Sequence, residues 1–230
     1  MRFAIVCFTL LASSAVAAGP PEFASRRAAS DTKADLNPNS PFWRRAPAIF
    51  AAADTFGVEV PRHRTEVRSR WTAGNLYFLF ICPYQQLNLK PNPRTEVETN
   101  ELWNWDVAEV FIGSDFQNIR RYKEFEVSPQ GEWIDLDIDL AKPHHEDGWT
   151  WNSGFEVAAR IDAQARVWYG FMRIPYRTVD QRPPAVGTTL RVNFYRAQGP
   201  PEDHKAIAWQ PTGKATYHVP ESFGILKLAN

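Results

Sequence analysis

The chain has 230 residues with 26 basic and 26 acidic side chains, five histidines and two cysteines. That balance gives no long-range pull toward nucleic acid or anionic membranes, and about 210 residues behind a short leader suffice for one sizeable core but not for two full domains. Nine tryptophans, fifteen phenylalanines and eighteen prolines point to many short strands joined by rigid loops.

In chain order, Arg2 precedes an apolar run over 3–11 and a small-residue stretch that ends in Ala15-Val16-Ala17 and Ala18. This is the pattern of a secretory signal peptide over 1–18, and it is too short for a membrane span. No second apolar run approaches membrane length, so the reading is an exported protein, secreted or periplasmic, with no membrane span. Its removal takes away Cys7 and leaves Cys82 unpaired, which excludes an intrachain disulfide. Cys82 ends the apolar run 76–82 and reads as a small buried hydrophobe.

Residues 19–41 are small, polar and unpatterned, and are expected to form a flexible leader before a single domain over 42–230. Short helices are expected over 46–53 and 176–179. Alternation over 66–70 into Trp71, the turn Thr72-Ala73-Gly74-Asn75 and the apolar run 76–82 read as a hairpin whose second strand is central in a sheet. A long proline-rich loop over 83–100 follows.

The segment 102–113 opens with Trp103 and Trp105 and becomes an alternating strand, with Val107, Glu109 and Phe111 on one face and Ala108, Val110 and Ile112 on the other. Over 122–127, Phe125 and Val127 share one face while Glu124 and Glu126 share the other. The strand 133–140 alternates Ile134, Leu136, Ile138 and Leu140 with Asp135, Asp137 and Asp139, which read as its solvated face. Further strands are expected over 155–161, 167–175, 190–196 and 224–228. The pattern predicts an all-β fold: an antiparallel two-sheet β-sandwich, immunoglobulin- or jelly-roll-like, with one or two short helices, acting as a monomer.

Glu109 and Glu126 leave strands that begin beside the aromatic loop, so neighbouring strands would bring both acids to one pocket. A glycosidase also needs two carboxylates, which keeps an O-glycosyl hydrolase using Glu109 and Glu126 as a rival reading. His144-His145-Glu146-Asp147 lacks further ligands at a recognisable spacing and is not read as a transition-metal site. Met172 reads as core, not as a haem ligand. No Ser-His-Asp elbow, Walker loop, dinucleotide fingerprint or HExxH is present. Tyr217 and His218 precede a proline-marked turn, free to meet a ligand or to cover the end of the domain.

Taken in order, the strand 76–80, Trp103-x-x-Asp106-x-x-Glu109-Val-Phe-Ile, Tyr122-x-Glu-Phe-Glu-Val-Ser-Pro, Arg173-Ile-Pro, Trp209 and Pro220-x-x-Phe223-Gly224 resemble the family 9 carbohydrate-binding modules and the wider family 9-like, DOMON-like domains. The resemblance implies a β-sandwich in which two facing aromatic rings clamp the terminal sugar of a polysaccharide chain, often with structural calcium and with no required cofactor. It places the clamp on Trp103 and Tyr217, the latter where better known modules carry tryptophan, and a hydroxyl-binding carboxylate on Glu109. At Glu126 those modules carry arginine, so a donor has become an acceptor. Glu109, Glu126, His218, Asn193 and Arg196 are the candidates for the polar edge. The resulting expectation is a non-catalytic carbohydrate-binding protein for a mono- or oligosaccharide or glycan chain end, in a carbohydrate catabolic setting. A module for a protein or an apolar ligand is a further alternative.

Overall fold

The computed structural model describes residues 19–230; the signal-peptide reading of 1–18 lies outside them. The described chain is almost wholly β. Its thirteen strands are β1 (Glu22–Arg27), β2 (Ala48–Ala51), β3 (Ala53–Asp54), β4 (Thr65–Trp71), β5 (Asn75–Pro83), β6 (Val107–Gly113), β7 (Arg121–Val127), β8 (Trp133–Asp139), β9 (Glu156–Asp162), β10 (Val167–Pro175), β11 (Thr189–Gln198), β12 (Lys205–Ala208) and β13 (Gly224–Ala229). Helical structure among the described residues is limited to short 3-10 turns. Residues 48–51 form a strand where a helix was expected, and the segment after Pro175 is one such turn, Tyr176–Thr178.

The expected separate, wholly antiparallel sheets give way to one continuous mixed sheet in the order β8-β7-β6-β11-β13-β1-β4-β5-β10-β9. Most neighbours are antiparallel, but β1 runs parallel to both β13 and β4. The path curls until its arms face each other, nearly as in a barrel. Phe194 of β11 packs against Phe78 of β5 at 5.5 Å between ring centroids, although three strands separate them in the sheet. On β10, a Cβ at Gly170 would come within 2.9 Å of Val127 on β7, so a side chain there would force the arms apart.

The run 76–82 is apolar throughout because both of its faces are covered. Leu76, Phe78, Phe80 and Cys82 enter the main core, while Tyr77 and Leu79 pack with Trp43 and Phe171 in a smaller one. Burial raises the Cys82 thiol to about 12 and keeps it an inert core residue; Met172 is likewise core. The turn between β4 and β5 closes where the Thr72 N–H donates to the Asn75 carbonyl at 2.9 Å.

Residues 19–41 are not a free leader. β1 lies within them, Phe23 is core, and Asp31 accepts from Thr72 Oγ1 at 2.5 Å, Asn75 Nδ2 at 3.0 Å and the Tyr77 hydroxyl at 2.7 Å. These are long-range contacts that no local pattern announces. The solvated face expected on β8 is also only partly so: Asp135 is fully buried and accepts from the Ser153 N–H, while Asp137 pairs with Lys123.

The last strand is set by Trp209. A Cβ at Gly224 would lie 2.5 Å from the indole ring and 2.7 Å from the Pro21 carbonyl, so glycine is what lets Trp209 close over the β1–β13 junction.

Candidate functional site

The face of β6, β7, β8 and β11 turned away from the main core carries a second layer of side chains. Alternation puts Val107, Glu109 and Phe111 of β6 there, with Tyr122, Glu124 and Glu126 of β7, Ile134, Leu136 and Ile138 of β8, and Tyr195 and Ala197 of β11. Loops fold over this face and leave a cavity of about 660 Å³. That size falls within the ~300–1,000 Å³ typical of small-molecule sites.

Trp103 stands on the 3-10 turn Leu102–Asn104, which is anchored by fully buried Leu102 and entered through Glu101 at φ 59°. Its ring is half-buried against the second layer and lines the cavity. Trp105 does not line the cavity; its N–H donates to the Leu102 carbonyl at 3.0 Å and closes the turn. Asp106 is buried and accepts from the Gly199 N–H at 2.7 Å, which ties the start of β6 to the loop after β11. Burial moves its carboxyl up to about 6.

Tyr217 reaches the cavity from the loop before β13. Its ring stacks on Tyr195 at 4.2 Å and 11°, its hydroxyl donates to the Arg196 carbonyl at 3.0 Å, and its own carbonyl accepts from the Tyr195 hydroxyl at 3.0 Å. The ring is thus fixed before any ligand arrives, and burial keeps its phenol protonated by raising it well above the usual tyrosine range. His218 lines the cavity with its Nδ1 2.6 Å from the Tyr122 hydroxyl and its ring 4.3 Å from that of His145. Burial and the His145 charge lower it to about 4, so it is a neutral imidazole at pH 7, with one donor and one acceptor.

Register brings the acids together. Glu109 is opposite Glu126 across β6 and β7, and Phe111 is opposite Glu124. Ligand oxygens of Glu109, Glu124 and Glu126 lie within 4.8 Å of one another, and all three side chains are buried. Burial first and the neighbouring glutamate charges second push Glu109 and Glu126 well above the usual carboxylate range; burial lifts Glu124 to about 7. Glu109 and Glu124 form part of the cavity wall, whereas Glu126 sits behind them.

Of the residues expected at the site, Trp103, Glu109, Tyr217 and His218 line the cavity, and Glu126 backs it. Asn193 and Arg196 do not line it. Asn193 donates to the Tyr195 hydroxyl and the Gln210 carbonyl and accepts from the Phe194 and Gln210 N–H groups, so its hydrogen-bonding capacity is used within the fold. Arg196 projects from the opposite face of β11 toward Thr65 Oγ1, the Pro83 carbonyl and Gln198. Sequence reasoning missed Glu124, although alternation had already placed it beside Glu126, and it missed Phe111, His145 and the 63% exposed Phe56 near the rim. Phe56 comes from a distant loop, and no local signal marks it.

The family model described as "Carbohydrate family 9 binding domain-like" matches residues 40–230. The chain belongs to this family. Family 9 architecture is also seen in solved structures. A family 9 carbohydrate-binding module from Caldicellulosiruptor kristjanssonii in complex with cellotriose superposes with a TM-score of 0.64 at 12% identity, covering 91% of this chain and 94% of that one. The complex of such a module from the same organism with glucose gives 0.65 at 12% identity, with 91% and 96% covered. A Bacteroides uniformis protein assigned to carbohydrate binding gives 0.71 at 13%, with 91% and 100% covered. At these identities the likeness is one of fold. In sequence, an Arthroderma benhamiae protein named "Extracellular protein" is 25% identical over 158 residues, 64% of this chain and 66% of that protein. No helix among the described residues is long and apolar enough to cross a membrane.

Proposed function

We propose that this chain is an exported, non-catalytic carbohydrate-binding protein that holds a sugar ring in the cavity between Trp103 and Tyr217. The observation that carries this reading is convergence: two restrained aromatic rings and the Glu109 carboxyl line one cavity floored by rigid strands. The C–H face of a pyranose packs on such rings while hydroxyls meet the polar groups at their edge. Glu109, Glu124 and His218 supply that edge, and Glu126 acts from behind it. Solved relatives of the same fold hold cellotriose and glucose, which supports a glycan end as ligand. The leader pattern and the name of the extracellular relative support export. A monomer whose facing sheet arms serve as the two layers of a sandwich belongs to the same reading.

Binding is favoured over hydrolysis by the disposition of the acids. Glu109 and Glu126 stand on adjacent strands of one wall, with oxygens inside 4.8 Å, and both are buried. A glycosidase needs its two carboxyls about 5 to 10 Å apart on either side of a bond, with room for the sugar between them.

Calorimetric titration of the mature protein with mono- and oligosaccharides tests the proposal. At least one sugar is expected to bind, and Trp103→Ala is expected to weaken it by about 2 kcal/mol or more, as for a central aromatic anchor. No heat with any sugar, and no effect of Trp103→Ala in a binding competition, would sink it.

A further inference from the structure

Among the described residues, Glu126 is fully buried and no N–H or O–H of another residue type reaches its carboxyl oxygens, its one polar neighbour in bonding range being the Glu124 carboxyl; one oxygen of Glu109 and one of Glu124 are buried and without a donor as well. A buried acid without a donor is costly even when protonated, and here three share one spot with at most a shared proton between Glu124 and Glu126. The nearby lysine and arginine side chains are directed elsewhere. Arg196 is on the other face of β11, Lys123 pairs with Asp137 at 2.5 Å, and Arg191 donates to the carbonyls of Asp115, Ile119 and Arg121. Among the described residues, no lysine or arginine forms an ion pair with any of the three acids on the cavity floor.

We propose that Glu109, Glu124 and Glu126 together hold a hard divalent cation, calcium in the first place, whose open positions take hydroxyls of the bound sugar. The second half rests on the carbohydrate reading above; the ion site does not. Oxygens around one calcium lie about 2.3–2.6 Å from it, hence up to roughly 5 Å from one another, which matches the spread of these three carboxyls. A donor set made only of carboxylates suits calcium, magnesium or manganese and not a softer metal. Three carboxylates supply at most about six of the six to eight oxygens calcium accepts, and Glu109 and Glu124 turn toward the cavity, so ligand hydroxyls have a place to enter. An ammonium group on the ligand would neutralise the cavity wall but would not reach Glu126 behind it. A bare ion reaches all three.

The test uses the mature chain stripped with EDTA and dialysed. Calorimetry with calcium chloride, and luminescence of terbium sensitised by the cavity aromatics, should show one ion per chain. Glu126→Gln and Glu124→Gln should each weaken it by at least about tenfold, as ligand charge sets affinity in such sites, while Asp139→Asn on the surface leaves it unchanged. Circular dichroism establishes that each variant is folded, and either glutamate variant suffices. Whichever sugar binds should lose at least tenfold in affinity in EDTA and recover it in calcium chloride. No ion uptake by the folded wild type, with or without sugar, overturns the site, as does equal uptake by wild type and the glutamate variants. Ion uptake with no binding of any sugar upholds the site while the carbohydrate reading fails. Sugar binding at full strength in EDTA overturns the bridging role, and a preference for glucosamine over glucose in EDTA assigns the acids to a ligand ammonium instead.

Discussion

Asp31 lies on the N-terminal segment with one carboxyl oxygen accepting from Thr72, Asn75 and Tyr77, and these donors hold it below the usual carboxylate range. Glu109, Glu124 and Glu126 lie on neighbouring strands with several carboxyl oxygens unpartnered, and burial drives them above that range. Both regions bring acids close to β-structure, Asp31 from an irregular segment after β1 and the three glutamates from within strands. The difference is in who satisfies the acid. At Asp31 the protein itself supplies every donor, and the result is a tie between the N-terminal segment and the β4–β5 hairpin. At the cavity floor, among the described residues, the acids meet one another instead of donors from other residue types, and are left to a ligand or an ion.

Removing an acid should therefore have opposite signs in the two places. The larger effect is expected at the floor. In EDTA, Glu126→Met replaces an unpartnered buried carboxyl by an apolar side chain of similar length, and should raise the unfolding free energy by about 1–3 kcal/mol. In calcium the gain should vanish or reverse, because the wild type then gains ion binding that the variant lacks. Chemical unfolding in both media measures this. A loss of stability in EDTA would mean that Glu126 is satisfied by the fold and would erase the contrast.

At Asp31 the expected change is a loss. Asp31→Ala leaves the hydroxyl of fully buried Tyr77 without its 2.7 Å acceptor and frees Thr72 and Asn75. The cost should be about 1 kcal/mol, limited because Asp31 is itself exposed and water replaces part of what is lost. Sugar binding should be untouched. Limited proteolysis near residues 19–41 should quicken, since the segment is held by these bonds as well as by β1.

The same contrast explains what could be read from the sequence. Alternation along β6 and β7 was legible because each strand has one face in the main core, so the shared face of Glu109 and Phe111, and that of Glu124 and Glu126, followed from period two alone. The run 76–82 was legible for the related reason that both of its faces are covered. Motif order sufficed to mark the family. β1 was not legible, because its partners β13 and β4 lie far along the chain and its parallel pairing leaves no turn signal. Asn193 and Arg196 were candidates for the polar edge, yet they project from opposite faces of β11 and both make hydrogen bonds within the fold instead. Asp135 looked like its neighbours Asp137 and Asp139 until Ser153 folded onto it. Polar residues whose partners come from distant loops carry no local signature.

The smallest expected effect is the pH dependence of the Asp31 tie, and it is the most direct measure of whether charge or shape holds the N-terminal segment. Three hydrogen bonds, from Thr72, Asn75 and Tyr77 in falling order, together with the more distant Arg173, favour the ionised carboxyl in the folded protein. Its folded value therefore lies below the 3.8 of a free aspartate. The folded state then binds this proton less readily than the unfolded chain, so the stabilisation is fully present above the unfolded value and declines as pH falls through the folded one. Asp31→Asn keeps the shape and one acceptor oxygen but cannot titrate. The stability gap between wild type and Asp31→Asn, from urea midpoints, should stay level from pH 7 to pH 5 and narrow progressively as pH falls below about 4. Taking the difference removes the histidines and the cavity acids, which titrate alike in both proteins. A gap that does not narrow as the medium is acidified would show that the segment is held by the geometry of the acceptor alone, and that the charge on Asp31 contributes nothing to it.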